Sequence, residues 1–94
     1  MNIAIDFDET IDRDPDTWSD VVGVLTGAGH DVFVVTNNWA GTRPDIDEFA
    51  SACNIDVYYA QHQQKEACMG SRGVHVDVWI DDTPNSIPRY DRSI

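Results

Sequence analysis

Two aspartates set two residues apart, Asp6 and Asp8, follow directly on an apolar run, Ile3-Ala4-Ile5. Carboxylates so spaced at a strand's end can both reach one reacting centre if the chain bends away there. One then serves as nucleophile or metal ligand while the other moves protons. Two other apolar runs end in polar groups: Val32-Phe33-Val34-Val35 stops at Thr36, and Val74 to Ile80 delivers Asp81 and Asp82. In parallel α/β sheets such strand ends share one rim, where ligands bind. Lys65 lies just ahead of the last run, with a side chain long enough to reach that rim. Four carboxylates gathered there repel one another unless a cation sits between them. Hard oxygen ligands suit Mg²⁺, which keeps several waters and commonly bridges to phosphate. The Thr36 hydroxyl and the Lys65 ammonium would hold a phosphoryl group from the other side, which is the equipment of phosphoryl transfer. Singly, each part has a plainer reading: Thr36 as a turn cap, Lys65 on a solvated helix, Asp81-Asp82 as the opening of a loop.

Strand and helix signals alternate along the chain, the signature of a parallel α/β sheet. The first strand is expected from about Asn2 to Asp6. Asp14-Pro15 offers an N-cap and a proline at the first helical position, and Trp18, Val21, Val22 and Leu25 then fall on one helix face. Gly27 and Gly29 supply the stop. A second strand, Val32 to Val35, is continuous enough to be buried on both faces. Asn37 to Pro44 reads as a loop, and a helix opening near Pro44-Asp45 carries Ile46, Phe49, Ala50 and Cys53 on one face. Ile55 to Tyr59 is expected as strand three, Gln61 to Met69 as a short helix, and Val74 to Ile80 as strand four. Strand four alternates valines and Ile80 with His75, Asp77 and Trp79, a half-exposed pattern that places it at or near a sheet edge. Charged Asp77 would blunt pairing at that edge. Pro84 and Pro88 mark the remainder as loop or a short helical turn.

Composition bounds the rest. Ninety-four residues make one small domain. Seventeen acids against six Lys and Arg give a net charge of −11, a surface that repels phosphate backbones and argues against extended nucleic-acid binding. A basic notch could still take a nucleotide or a strand end. No signal-length or bilayer-length apolar stretch occurs, so no membrane association and a cytoplasmic address are expected. Cys53 and Cys68 lack any CxxC context and read as reduced, helix-borne core residues, and His62 and His75 as surface histidines rather than zinc ligands.

Four segments taken in order resemble the haloacid dehalogenase (HAD) superfamily, of the phosphatase kind. They are Asp6-Phe7-Asp8-Glu9-Thr10 after a hydrophobic strand, Val34-Val35-Thr36-Asn37, Lys65, and Val78-Trp79-Ile80-Asp81-Asp82. The likeness runs from residue 2 to about residue 87. It implies a small three-layer Rossmann-like α/β domain with a mostly parallel sheet of about four strands. Strand one would lie between strands two and four, with strand three outermost. It further implies that Asp6 attacks phosphorus to form an aspartyl phosphate. Asp8 would protonate the leaving oxygen and then activate water, while its backbone carbonyl helps hold Mg²⁺. Thr36 would hydrogen-bond the phosphoryl oxygens, and Lys65 would offset charge and steady Asp6. Asp81 would be the direct metal ligand, with Asp82 binding through water or orienting the shell. Only Ile11 to Asp14 separates the first motif from the first helix, and the loop after Thr36 is short, so no cap domain is expected. Capless members take large or exposed phosphorylated substrates or borrow a lid from a partner subunit, which makes a homo-oligomer one expectation.

Substrate contacts are expected from Thr10 and from the loop Asn37-Asn38-Trp39-Ala40-Gly41-Thr42-Arg43. Asn37 and Asn38 can donate hydrogen bonds, Trp39 offers a stacking face, and Arg43 could meet a second phosphate. A phosphorylated small molecule, a nucleotide or a nucleic-acid end would suit such groups. The plainer alternative has Trp39 packed on the domain and Arg43 paired with a neighbouring acid. Two other functions compete. A response-regulator receiver also gathers acids, a hydroxyl and a Lys around Mg²⁺, but its Lys comes last, whereas Lys65 precedes Asp81-Asp82. A HAD-like regulatory module would keep the Mg²⁺/phosphate pocket with little turnover, though it would have no use for Asp8. Nucleotide kinases of the P-loop kind are excluded, as no GxxxxGK[ST] run is present.

Overall fold

The computed structural model describes residues 1–87. Four strands, β1 (Asn2–Ile5), β2 (Asp31–Thr36), β3 (Asp56–Tyr59) and β4 (Val78–Ile80), form one sheet in the order β3-β2-β1-β4. Every pairing is parallel, with Ile5 opposite Val34 on one side and Ile80 on the other. The expected α/β class and strand order are both present, and β4 lies at an edge. Helices α1 (Pro15–Gly27) and α2 (Pro44–Cys53) cover one face, and α3 (Lys65–Ser71) lies against the other. Among the described residues no helix is long and apolar enough to cross a membrane.

Strand alternation divides the core in two. Ile3, Ile5, Val32 and Val34 face the α1 and α2 side with Phe7, Ile11, Val22 and Ile46. Ala4, Phe33 and Val35 face the other way, onto Met69 of α3. Helix α1 begins where sequence chemistry puts it: the Asp14 carboxylate accepts from the Thr17 N–H at 3.3 Å and Pro15 takes the first position. Helix α2 stops at Asn54, which sits in the left-handed region (φ 58°) that asparagine tolerates better than most residues. Cys53 and Cys68 are free thiols, half-buried and buried respectively.

Several boundaries differ from the sequence reading, most by one or two residues, and three bear on the site or the sheet edge. β1 ends at Ile5, one residue early, leaving Asp6 free of the strand. Helix α3 starts at Lys65 rather than Gln61, because Gln61 and His62 both adopt positive φ (55° and 70°), which no α-helix continues. β4 begins at Val78 rather than Val74. There the Asp77 carboxylate accepts from the Asn2 backbone N–H at 2.8 Å, and the Asn2 side-chain amide donates to the His75 carbonyl at 2.7 Å. These side chains occupy the partners that a longer ladder would have used. Val74 and Val76 still pack beneath the sheet beside Met69.

Candidate active site and metal centre

The C-terminal ends of β1, β2 and β4 meet on one rim. The Asp6 backbone N–H donates to the Ile80 carbonyl at 2.9 Å, locking the two strand tips together. Beyond them the Asp6, Asp81 and Asp82 carboxylates converge, one oxygen from each within 4.8 Å of the others. Asp6 is buried, Asp81 half-buried and Asp82 exposed. Lys65, only 1% exposed, points into the same place. Its ammonium donates to Asp6 Oδ1 at 2.8 Å and to Asp81 Oδ2 at 2.6 Å. Lys65 reaches them because it is the first residue of α3, just past the turn at Gln61 and His62. Asp81 is held further by the Thr83 N–H, 2.8 Å from Oδ1.

Three carboxylates face one ammonium, the Asp6 and Asp81 side chains shielded beside it and Asp82 open to solvent, so acidic groups outnumber the cation. Burial pushes the Asp6 carboxyl up to about 6 from 3.8; Lys65 opposes the rise, and Asp82 and Asp81 add to it. These oxygens could hold a divalent ion: the donors are all hard, they converge, and their excess charge is opposite in sign to that of the ion. Without metal, the stability contributed by Asp6 is complete below pH 3.8 and is lost as pH rises through about 6. Urea unfolding in EDTA should therefore show wild type losing stability relative to Asp6→Asn between about pH 4 and pH 7, by on the order of 3 kcal/mol. A difference that stays flat across that range would mean burial of Asp6 is not felt.

Asp8 stands outside the convergent trio, and other groups hold it. Its Oδ2 accepts from the Asn38 side-chain amide at 2.8 Å, and its Oδ1 from Arg43 at 2.9 Å. The same Asn38 amide nitrogen donates to Thr36 Oγ1 at 2.8 Å, and the Asn38 backbone N–H adds a 3.3 Å contact to that hydroxyl. Thr36 is wholly buried, so in this arrangement Asn38 covers the hydroxyl and lies nearer the solvent. Arg43 forks onto Asp45, with Nε to Oδ1 at 3.1 Å and an amino group to Oδ2 at 2.9 Å. These pairs, Asp45 first and then Asp8, hold its guanidinium charged still more firmly than usual.

The remaining expected contacts divide. Trp39 is 50% exposed, its ring 6.1 Å from that of His62, which the next loop carries onto the rim. Asn37 Oδ1 is buried without a partner among the described residues, while its backbone carbonyl accepts from the His62 N–H. Thr10 is buried in the turn after β1, where its carbonyl accepts from the Arg13 N–H. Asp45 joins the site through Arg43, which is the plainer alternative of an arginine paired with a neighbouring acid, although Asp45 itself was not singled out from the sequence. The signal was an Arg-Pro-Asp run at a helix start, which puts an acid within reach of the arginine. No family model matches the chain, and no curated protein or solved structure matches it.

Proposed function

We propose that this chain is a HAD-type, Mg²⁺-dependent phosphomonoester hydrolase. The observation that carries the reading is the Lys65 ammonium set between Asp6 and Asp81, with Asp82 completing a convergent acid cluster at the strand ends. Such a lysine keeps a buried carboxylate ionised and aimed, as a nucleophile requires. An Asp6 oxygen attacks phosphorus while the bond to the leaving oxygen breaks and its electron pair departs with that oxygen. Asp8 supplies the proton. Asp8 then takes a proton from water, whose oxygen attacks phosphorus, and the pair of the breaking P–O bond returns to Asp6 with release of inorganic phosphate. Asp6, Asp81 and Asp82 would hold the Mg²⁺, which when bound offsets charge on the phosphoryl oxygens. The half-exposed Trp39 face favours a nucleotide or nucleic-acid end as the leaving group. Two free thiols fit a reducing compartment such as the cytoplasm.

A binding or regulatory module is the second reading, favoured by one observation: Thr36 is sealed beneath Asn38. Hydrolysis of an aryl phosphate and of 3′- and 5′-phosphorylated nucleotides, with Mg²⁺ and with EDTA, separates the two. Metal-dependent release of phosphate is expected. Saturating Mg²⁺ should also stabilise the fold, by about 2.7 kcal/mol at 100 times its Kd. A melting temperature indifferent to millimolar Mg²⁺ would count against the pocket under either reading.

A further inference from the structure

We propose that Arg43 is a positioning residue for Asp8, acting as a strut between the start of α2 and the acid/base group, rather than a contact for a second substrate phosphate. The inference rests on the hydrolase reading above and goes beyond it by assigning a role to a side chain outside the acid cluster. Three observations carry it. The guanidinium is gripped at one end by a two-bond fork to Asp45, at 3.1 and 2.9 Å, on the first turn of α2. Its remaining amino group reaches Asp8 Oδ1 at 2.9 Å. Its central carbon lies over the ring of Phe7, 5.8 Å from the centroid, and Phe7 is itself buried and packed edge-on against Phe49 of α2. The guanidinium is thereby fixed on three sides, and only the contact to Asp8 carries that rigidity toward the rim.

Asp8 needs such support. It follows the end of β1 in a turn whose next residue, Glu9, is forced to positive φ (63°), and its side chain is 44% exposed. A carboxylate so placed samples several rotamers unless it is tied down. Asn38 ties one oxygen and Arg43 the other, so the group is held at both ends. Lysine could not take over this role. One ammonium lacks the planar fork that grips Asp45 while also reaching Asp8.

The test is steady-state kinetics on Arg43→Ala and Arg43→Lys with an aryl phosphate and Mg²⁺, alongside melting temperatures. A positioning role predicts kcat lower by about 10- to 100-fold in both variants, since a misplacement near 1 Å costs that much, with KM within about twofold. Millimolar guanidinium added to Arg43→Ala should restore part of the lost kcat, and it should do nothing for wild type. A raised KM with unchanged kcat would instead make Arg43 a substrate contact and overturn the proposal. Unchanged kinetics with a lower melting temperature would make it merely structural, which also overturns it. Both outcomes leave the hydrolase reading intact. Wild-type protein that releases no phosphate from any substrate removes that reading, and the proposal with it.

Discussion

Asp6→Asn should abolish turnover, lowering kcat by at least about 10⁴-fold, because the amide oxygen cannot form the bond to phosphorus on which both half-reactions depend. Asp8→Asn should cost less, about 10²- to 10⁴-fold, since it removes proton transfer and leaves the nucleophile in place. The two variants should also differ in what accumulates. With a leaving group that departs unprotonated, Asp8→Asn should form the phosphoenzyme and stall, giving a burst of about one equivalent before a slow phase. Asp6→Asn should give no burst. Asp6→Asn is expected to melt no lower than wild type in EDTA at neutral pH, because it removes a costly buried charge and leaves Lys65 its bond to Asp81, and that melting temperature separates loss of activity from unfolding. Retained turnover in Asp6→Asn would eliminate the covalent route. A direct displacement by water, with the cluster acting only as a metal holder, would then be needed.

Much of this centre was legible in the chain because strand-end chemistry is local. A hydrophobic run that ends in carboxylates needs only its own alternation to declare where those carboxylates emerge, and all-parallel pairing then brings the ends together. Lys65 was legible for a weaker reason. Its place ahead of β4 was visible, but its full burial depends on the turn at Gln61 and His62, which lack the glycine that normally announces positive φ. Contacts made by long side chains across loops were not legible. Whether Arg43 meets a ligand phosphate or a neighbouring acid stood open, and that Asp8 is one of its partners depends on a separation of 35 residues closed by tertiary structure. The extent of β4 was overestimated on the same ground. Its valines alternate as a strand should, yet the Asp77 carboxylate accepts the Asn2 backbone N–H and the Asn2 side chain donates to the His75 carbonyl, and alternation carries no trace of that competition. Thr36 shows a further limit: its strand-end position was evident, but its cover by Asn38 was not.

Lys65→Met should be the most destabilising single substitution in the site. Methionine fills a similar volume but leaves Asp6 and Asp81 buried with no cation between them, their side chains 9% and 2% exposed. Removing one partner of a buried ion pair costs about 3–5 kcal/mol, a large share of the roughly 5–15 kcal/mol that holds a domain of this size together. The loss should depend on conditions in a way that identifies its cause. Asp6 already takes up a proton near pH 6 with Lys65 beside it, and without the ammonium it should do so more readily. The deficit in EDTA should therefore shrink on moving from about pH 8 to about pH 5. Saturating Mg²⁺ should also recover stability at about pH 8, since the ion replaces the lost positive charge, and its stabilising effect should exceed that on wild type. Urea unfolding of both proteins with EDTA and with Mg²⁺ at the two pH values makes the measurement. If Lys65→Met unfolds with wild type in EDTA at about pH 8, the ammonium is not offsetting buried charge. The electrostatic account of Asp6 as a tensioned, metal-seeking nucleophile would then fail even if the chain hydrolyses phosphate.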